Sequence, residues 1–171
     1  PMIYEAHSTD YQTRESLKEM VEDHFAILKV GPGLTFALRE ALFNLADIES
    51  NLIKSEQQSQ LKKVIDEVML DLPEYWGKYY STVHSDALLN IHFSLSDRIR
   101  YYWPNERISL AVKKMFDNLN NTEIPFGLLI QYCPDQAKKV ANGTVFSKSE
   151  ELVIDKIQQV LNEYSYACGT T

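Results

Sequence analysis

Cysteine is scarce in this chain of 171 residues: Cys133 and Cys168 are the only two. A pair cannot build a disulfide framework and suits a reducing, cytoplasmic setting. A surplus of positive charge is also missing. Seventeen Lys and Arg stand against 24 Asp and Glu, a net charge of −7, which argues against broad binding to nucleic acid or to an anionic membrane. Apolar runs reach only a few residues, too short for membrane insertion. No signal peptide or initiating methionine opens the chain at Pro1-Met2-Ile3-Tyr4. An apolar segment at the very start suggests a piece of a longer protein. Catalytic signatures are absent too. There is no Gly-x-Ser-x-Gly elbow, no His-Glu-x-x-His, no paired cysteines and no Walker loop. The four histidines (His7, His24, His84 and His92) therefore suggest no metal site within the chain. His24 reads as a cation at a helix C-terminus, and His84 and His92 as surface or partner residues. Cys133, between Tyr132 and Pro134, reads as a small buried side chain.

What is present is globular: 44% hydrophobic, 24% charged and 11% aromatic residues. Those fractions exclude a disordered or collagen-like chain. The first thirty residues read as strand, helix, strand. Met2–Ala6 is short and apolar. Thr13 is an N-cap for a helix from Arg14 to about Asp23, with Leu17, Met20 and Val21 as its stripe. Phe25–Val30 is a continuous apolar run, the pattern of a parallel strand buried on both faces. Gly31-Pro32-Gly33 breaks the chain. Leu34, Leu38, Leu42, Leu45, Ile48 and Leu52 then predict one long helix to Ile53.

The remainder reads as helical. Ser55–Ser59 is a loop, and Leu61, Val64, Ile65, Val68 and Met69 form the next stripe. Pro73 opens an aromatic helix around Tyr75, Trp76, Tyr79 and Tyr80. Ser96–Trp103 is a short helix stopped by Pro104. Ile108, Val112, Met115, Phe116 and Leu119 mark another, stopped at Asn120-Asn121. Pro125 and Pro134 open two short helices, the second closing at Gly143. Ser147 and Glu150 form a capping box for the last helix. One parallel strand pair cannot stand as a sheet alone. The chain is expected to be α/β, the end of a larger parallel fold (1–53) followed by a mainly α-helical extension (54–171).

Three residue groups carry chemistry. His7, Ser8 and Asp10 lie just past the first strand, at the edge where parallel α/β folds bind ligands. They read either as ligand contacts or as a self-capped turn. Lys29, Gly31 and Gly33 precede a helix N-terminus, reading equally as a phosphate cradle or a tight turn. Arg98, Arg100, Tyr101 and Trp103 combine arginine and aromatic side chains, a composition shared by partner interfaces and by packed structural segments.

The segments Tyr4–Thr13, Asp23–Pro32, Leu34–Ala41, Ser96–Pro104 and Gln131–Pro134 resemble, in the same order, the non-catalytic subunit of bacterial tagatose-1,6-bisphosphate aldolase. That family is also labelled tagatose 6-phosphate kinase. The resemblance implies a TIM (β/α)₈ barrel with Met2–Ala6 and Phe25–Val30 as its last two strands and an extension from about Asp47. It implies an accessory role in galactitol, tagatose or N-acetylgalactosamine breakdown, as part of an oligomer. No cofactor is implied for this chain. Zinc is expected in its partner, a class II aldolase catalytic subunit, and Lys29-Val30-Gly31 offers no histidine as a zinc ligand. Two alternatives stand beside it: a sugar-phosphate-binding enzyme in its own right, and a helical interaction module.

Overall fold

The computed structural model describes residues 2–80 and 84–170, and, for His84, the backbone only. It opens with β1 (Tyr4–Ala6), α1 (Arg14–Glu22), β2 (Phe25–Leu28) and α2 (Gly33–Leu52). The strands pair in parallel, with Tyr4 opposite Phe25, Glu5 opposite Ile27 and Ala6 opposite Leu28. Both are shorter than the apolar runs suggest. The Thr13 side chain accepts the Ser16 amide at 3.1 Å and so starts α1 as expected.

The helical part comprises α3 (Leu61–Asp71), α4 (His84–Phe93), α5 (Glu106–Asn120), α6 (Phe126–Tyr132), α7 (Pro134–Ala141) and α8 (Ser149–Cys168). Asn105 caps α5 by accepting the Arg107 amide. Among the described residues no helix is long and apolar enough to cross a membrane. One core runs through α2, α3, α5 and α8, with Leu45, Ile48, Ile65, Met69, Ile108 and Met115 essentially sealed from solvent. The last helix, α8, packs along both α1 and α2. The strand-bearing part and the extension therefore share one packed body.

Four expectations need correction. β2 is not buried on both faces: Ala26 and Ile27 are exposed and Phe25 and Leu28 only half-buried, because the sheet has only two strands and neither face is fully covered. Pro73 opens only a short 3₁₀ turn, Pro73–Tyr75. The aromatic side chains that follow seek tertiary partners. Trp76 Nε1 donates to the Met69 carbonyl at 2.6 Å, and Tyr80 shares a hydrogen bond with Ser96. Residues 76–80 form turns and a bend instead of the expected helix. Ser96–Trp103 contracts to a 3₁₀ turn over Arg98–Tyr101. Finally, Ser147 caps nothing. Lys148 stands at the N-cap of α8, and the Ser149 amide donates to Asn120 Oδ1 at 2.9 Å. A side chain from α5 thus does the work expected of the local box.

Candidate functional site

Parallel pairing sends alternate side chains to opposite faces. Glu5 and His7 of the first strand segment share a face with Ile27 and Lys29, and this is the solvent-exposed side of the sheet. Glu5 Oε1 lies 2.8 Å from Lys29 Nζ and 2.5 Å from His7 Nε2. The bond to Lys29, and secondarily that to His7, holds the Glu5 carboxyl below its ordinary value. A carboxylate with two flanking cationic or donor groups thus sits at the carboxyl ends of both strands. Its parts can accept from hydroxyls and donate to anionic oxygens.

The glycine turn serves a different anion from the one expected. Asp10 is 8% exposed. Its carboxylate accepts the Gly31 amide at 2.9 and 3.0 Å and the Gly33 amide at 2.7 Å. Gly33 opens α2, so the side chain also meets the positive end of that helix. A Cβ on Gly31 would fall 2.7 Å from Asp10 Oδ2, and one on Gly33 2.9 Å from Oδ1. Glycine is needed at both positions for this close approach. Asp10, Gly31 and Gly33 are brought together, but the amides expected to cradle phosphate hold the protein's own carboxylate. Ser8 stands apart, exposed and in the left-handed region at φ 54°.

Thr9 anchors this loop. It is 2% exposed, and its amide and hydroxyl both donate to the Lys29 carbonyl, at 3.2 and 3.1 Å. The Tyr164 hydroxyl, on α8, donates to the Thr9 carbonyl at 3.0 Å and lies 2.9 Å from the Thr9 hydroxyl. Tyr11 donates to the Leu95 carbonyl at 2.7 Å and meets Phe36 edge-on. Burial, reinforced by the carboxylates of Asp97 and Asp10, pushes the Tyr11 phenol up to about 12. Phe36 in turn carries the Arg39 guanidinium 4.2 Å above its ring. Arg39 Nε sits 3.3 Å from Asp97 Oδ1, with side chains 2% and 0% exposed. Burial holds Asp97 above and Arg39 below their ordinary values.

The arginine-rich segment is largely spent inside the chain. Arg98 donates to the Tyr75 carbonyl at 3.1 Å and lies 3.3 Å over the Tyr79 ring. It does not pair with Asp97, whose partner is Arg39. Arg100 donates to the Ser96 carbonyl and to the Tyr101 hydroxyl. Tyr101 stacks on Tyr75 with 43% of its surface exposed. Trp103 is half-buried and lines an apolar groove of about 650 Å³ with Leu38, Leu42, Phe116 and Val153. His92 is no free surface group: it lies 2.6 Å from Asp66 Oδ1 and edge-on to Phe43. The His84 side chain lies outside the described part. His24 follows α1 in the left-handed region, past its C-cap Asp23. Cys133 is buried, which pushes its thiol up to about 11, the opposite of an activated nucleophile. No metal-holding group of three or more His, Cys, Asp or Glu occurs among the described residues.

The structure adds three features to the sequence reading. Glu5 has a signal, since it stands two residues before His7 on a strand and so shares its face. Tyr164 and the Arg39–Asp97 pair have none, because their partners are 155 and 58 positions away.

Parallel strands with a polar cluster at their carboxyl ends, backed by helices, define a mainly helical α/β protein with a small parallel sheet. The chain belongs to the D-tagatose-1,6-bisphosphate aldolase subunit GatZ/KbaZ-like family, which it matches over residues 1–169. It is 56% identical over 168 residues to the D-tagatose-1,6-bisphosphate aldolase subunit GatZ of Salmonella paratyphi B. The GatZ of Salmonella newport shows the same identity. Each match covers 98% of this chain and 40% of the relative. A crystal structure described as a probable tagatose 6 phosphate kinase, from Sinorhizobium meliloti 1021, is 44% identical and superimposes with a TM-score of 0.91. That match covers 98% of this chain and 43% of the other.

Proposed function

We propose that the chain forms the C-terminal part of an accessory, non-catalytic subunit that supports a class II tagatose-1,6-bisphosphate aldolase. Its curated relatives are named as subunits of that aldolase, and this is the observation that carries the reading. In this reading β1 and β2 are the last two strands of a (β/α)₈ barrel, the extension folds back on its outer helices, and the work is cytoplasmic sugar breakdown. The partner carries the zinc and the bond cleavage. The groups at the ligand edge are consistent with a supporting role: Glu5 pairs with Lys29 and His7, and Asp10 occupies the helix N-terminus. Mixing the full-length protein with its class II aldolase and sedimenting the mixture should give one co-migrating complex. Separate migration at micromolar concentrations would rule the reading out.

A second reading is favoured by one observation, the convergence of Glu5, His7 and Lys29 on the exposed sheet face. A sugar phosphate would place its anionic end on Lys29 and His7 and its hydroxyls on Glu5. Calorimetric titration with tagatose 6-phosphate should show binding that Lys29→Ala weakens at least tenfold. Binding indifferent to that change would remove Lys29 from the site.

A further inference from the structure

We infer that the helical extension acts as a clamp on the ligand edge, with Tyr164 of α8 as the positioning residue for the loop Ser8–Gln12. The loop carries no regular secondary structure, so side-chain contacts must fix it. Four of its five residues have such contacts, or sit in strained backbone. Ser8 and Tyr11 both have positive φ, at 54° and 63°. For non-glycine residues this conformation persists only where surrounding contacts over-determine it.

Those contacts come from two places in the extension. At one end the Tyr164 hydroxyl reaches two polar groups of Thr9, the carbonyl at 3.0 Å and the hydroxyl at 2.9 Å. Around it, Arg14 lies 3.5 Å from Glu163 and 3.7 Å over the Tyr166 ring, seating α8 on α1. At the other end the Leu95 carbonyl accepts the Tyr11 hydroxyl. The Arg39–Asp97 pair lies behind it, through Phe36. Between these two anchors sits Asp10, whose carboxylate holds the amides of Gly31 and Gly33. The Thr9 hydroxyl and amide also hold the Lys29 carbonyl. The extension thereby sets the position of both ligand-edge turns, one after each strand. A partner that moves α8 would move Thr9, and with it the backbone that bears Lys29. The clamp stands whether or not the edge binds sugar phosphate, and it is tested apart from ligand and from aldolase activity.

The test is amide hydrogen exchange of the full-length protein, read at Gly31 and Gly33. Tyr164→Phe and Thr9→Val each delete a hydroxyl of the clamp. Both should speed exchange at these two amides by about fivefold to tenfold, the shift that one or two lost hydrogen bonds produce. Thr9→Ser keeps the hydroxyl and should leave the rates near those of the wild type. Asn118→Ala serves as a control: it removes the bond to Glu49 at 2.6 Å, on the α2–α5 side of the core, and should leave both amides protected. Unchanged exchange in Tyr164→Phe would overturn the clamp. So would an equal rise in Asn118→Ala, which would mark general loosening rather than positioning. Should Thr9→Val fail to fold, Tyr164→Phe alone decides.

Discussion

Neither strand of the sheet holds a sealed residue, whereas the helical body has a sealed core beside outward-facing isoleucines such as Ile130 and Ile154, 52% and 53% exposed. Ile27 in β2 leaves 46% of its surface in water, whereas Ile65, Ile91, Ile99 and Ile108 leave none. Met2 and Ile3, just before β1, and Tyr4 within it are 80%, 70% and 56% exposed, so apolar side chains stand open on both sides of this segment. The helical body closes its own core. The sheet face has the composition of a surface made to be covered, and the curated relatives are about two and a half times as long as this chain, which spans 40% of them. The contrast teaches that the sealed core lies among the helices, α2 included, while the strands carry open polar and apolar side chains.

The joint between the two regions is where the largest effect is expected. Asp97→Ala leaves the Arg39 guanidinium buried without its counter-ion, which should cost about 3–5 kcal/mol. A thermal melt of the full-length protein should fall by roughly 5 °C, because the shift per kcal/mol in a chain of that length is smaller than the roughly 2–4 °C of a 150–250-residue domain. Ile108→Ala, in the middle of α5, should cost about 2–4 kcal/mol through lost burial and a residual cavity. The same change at Ile27 sharpens the contrast. If β1 and β2 are barrel strands, as proposed, Ile27 is an interior residue of the full-length protein, and Ile27→Ala should cost about 2 kcal/mol in chemical denaturation. A cost under about 0.5 kcal/mol is what an exposed site shows, and would contradict the barrel assignment.

The smallest effects are in pH dependence, and the two regions differ in sign. Glu5 is held below its ordinary value of 4.5 by Lys29 and His7. Its contribution is therefore present above that pH and lost as pH falls through the lower, folded-state value. Glu5→Gln should flatten the acid limb of the stability profile. Tyr11, at the joint, is raised from 10.0 to about 12. Its contribution is present below pH 10 and lost as pH rises towards 12. Tyr11→Phe should flatten the alkaline limb.

Much of the helical body is legible in the sequence because local signals decide it. Thr13 caps α1, and the leucine stripe from Leu34 to Leu52 sets α2 to within a residue of its observed ends. Asn120-Asn121 marks the end of α5. The failures occur where tertiary contacts outweigh local ones. Trp76 and Tyr80 leave the helix pattern to bond to Met69 and Ser96. Ser147 loses its capping role to Asn120. At the site, the pairing of His7 and Lys29 on one edge follows from their positions just past the two strands. That Asp10 rather than a ligand would fill the glycine turn does not, because its carboxylate crosses 21 residues to reach Gly31. The Tyr164 anchor on Thr9 is more distant still.

The accessory role is tested most directly by the inactivation half-life of the class II aldolase, measured with and without a stoichiometric amount of the full-length protein. A half-life that lengthens and saturates at a fixed subunit ratio is the predicted result. An aldolase that decays at the same rate, with or without it, would contradict the account.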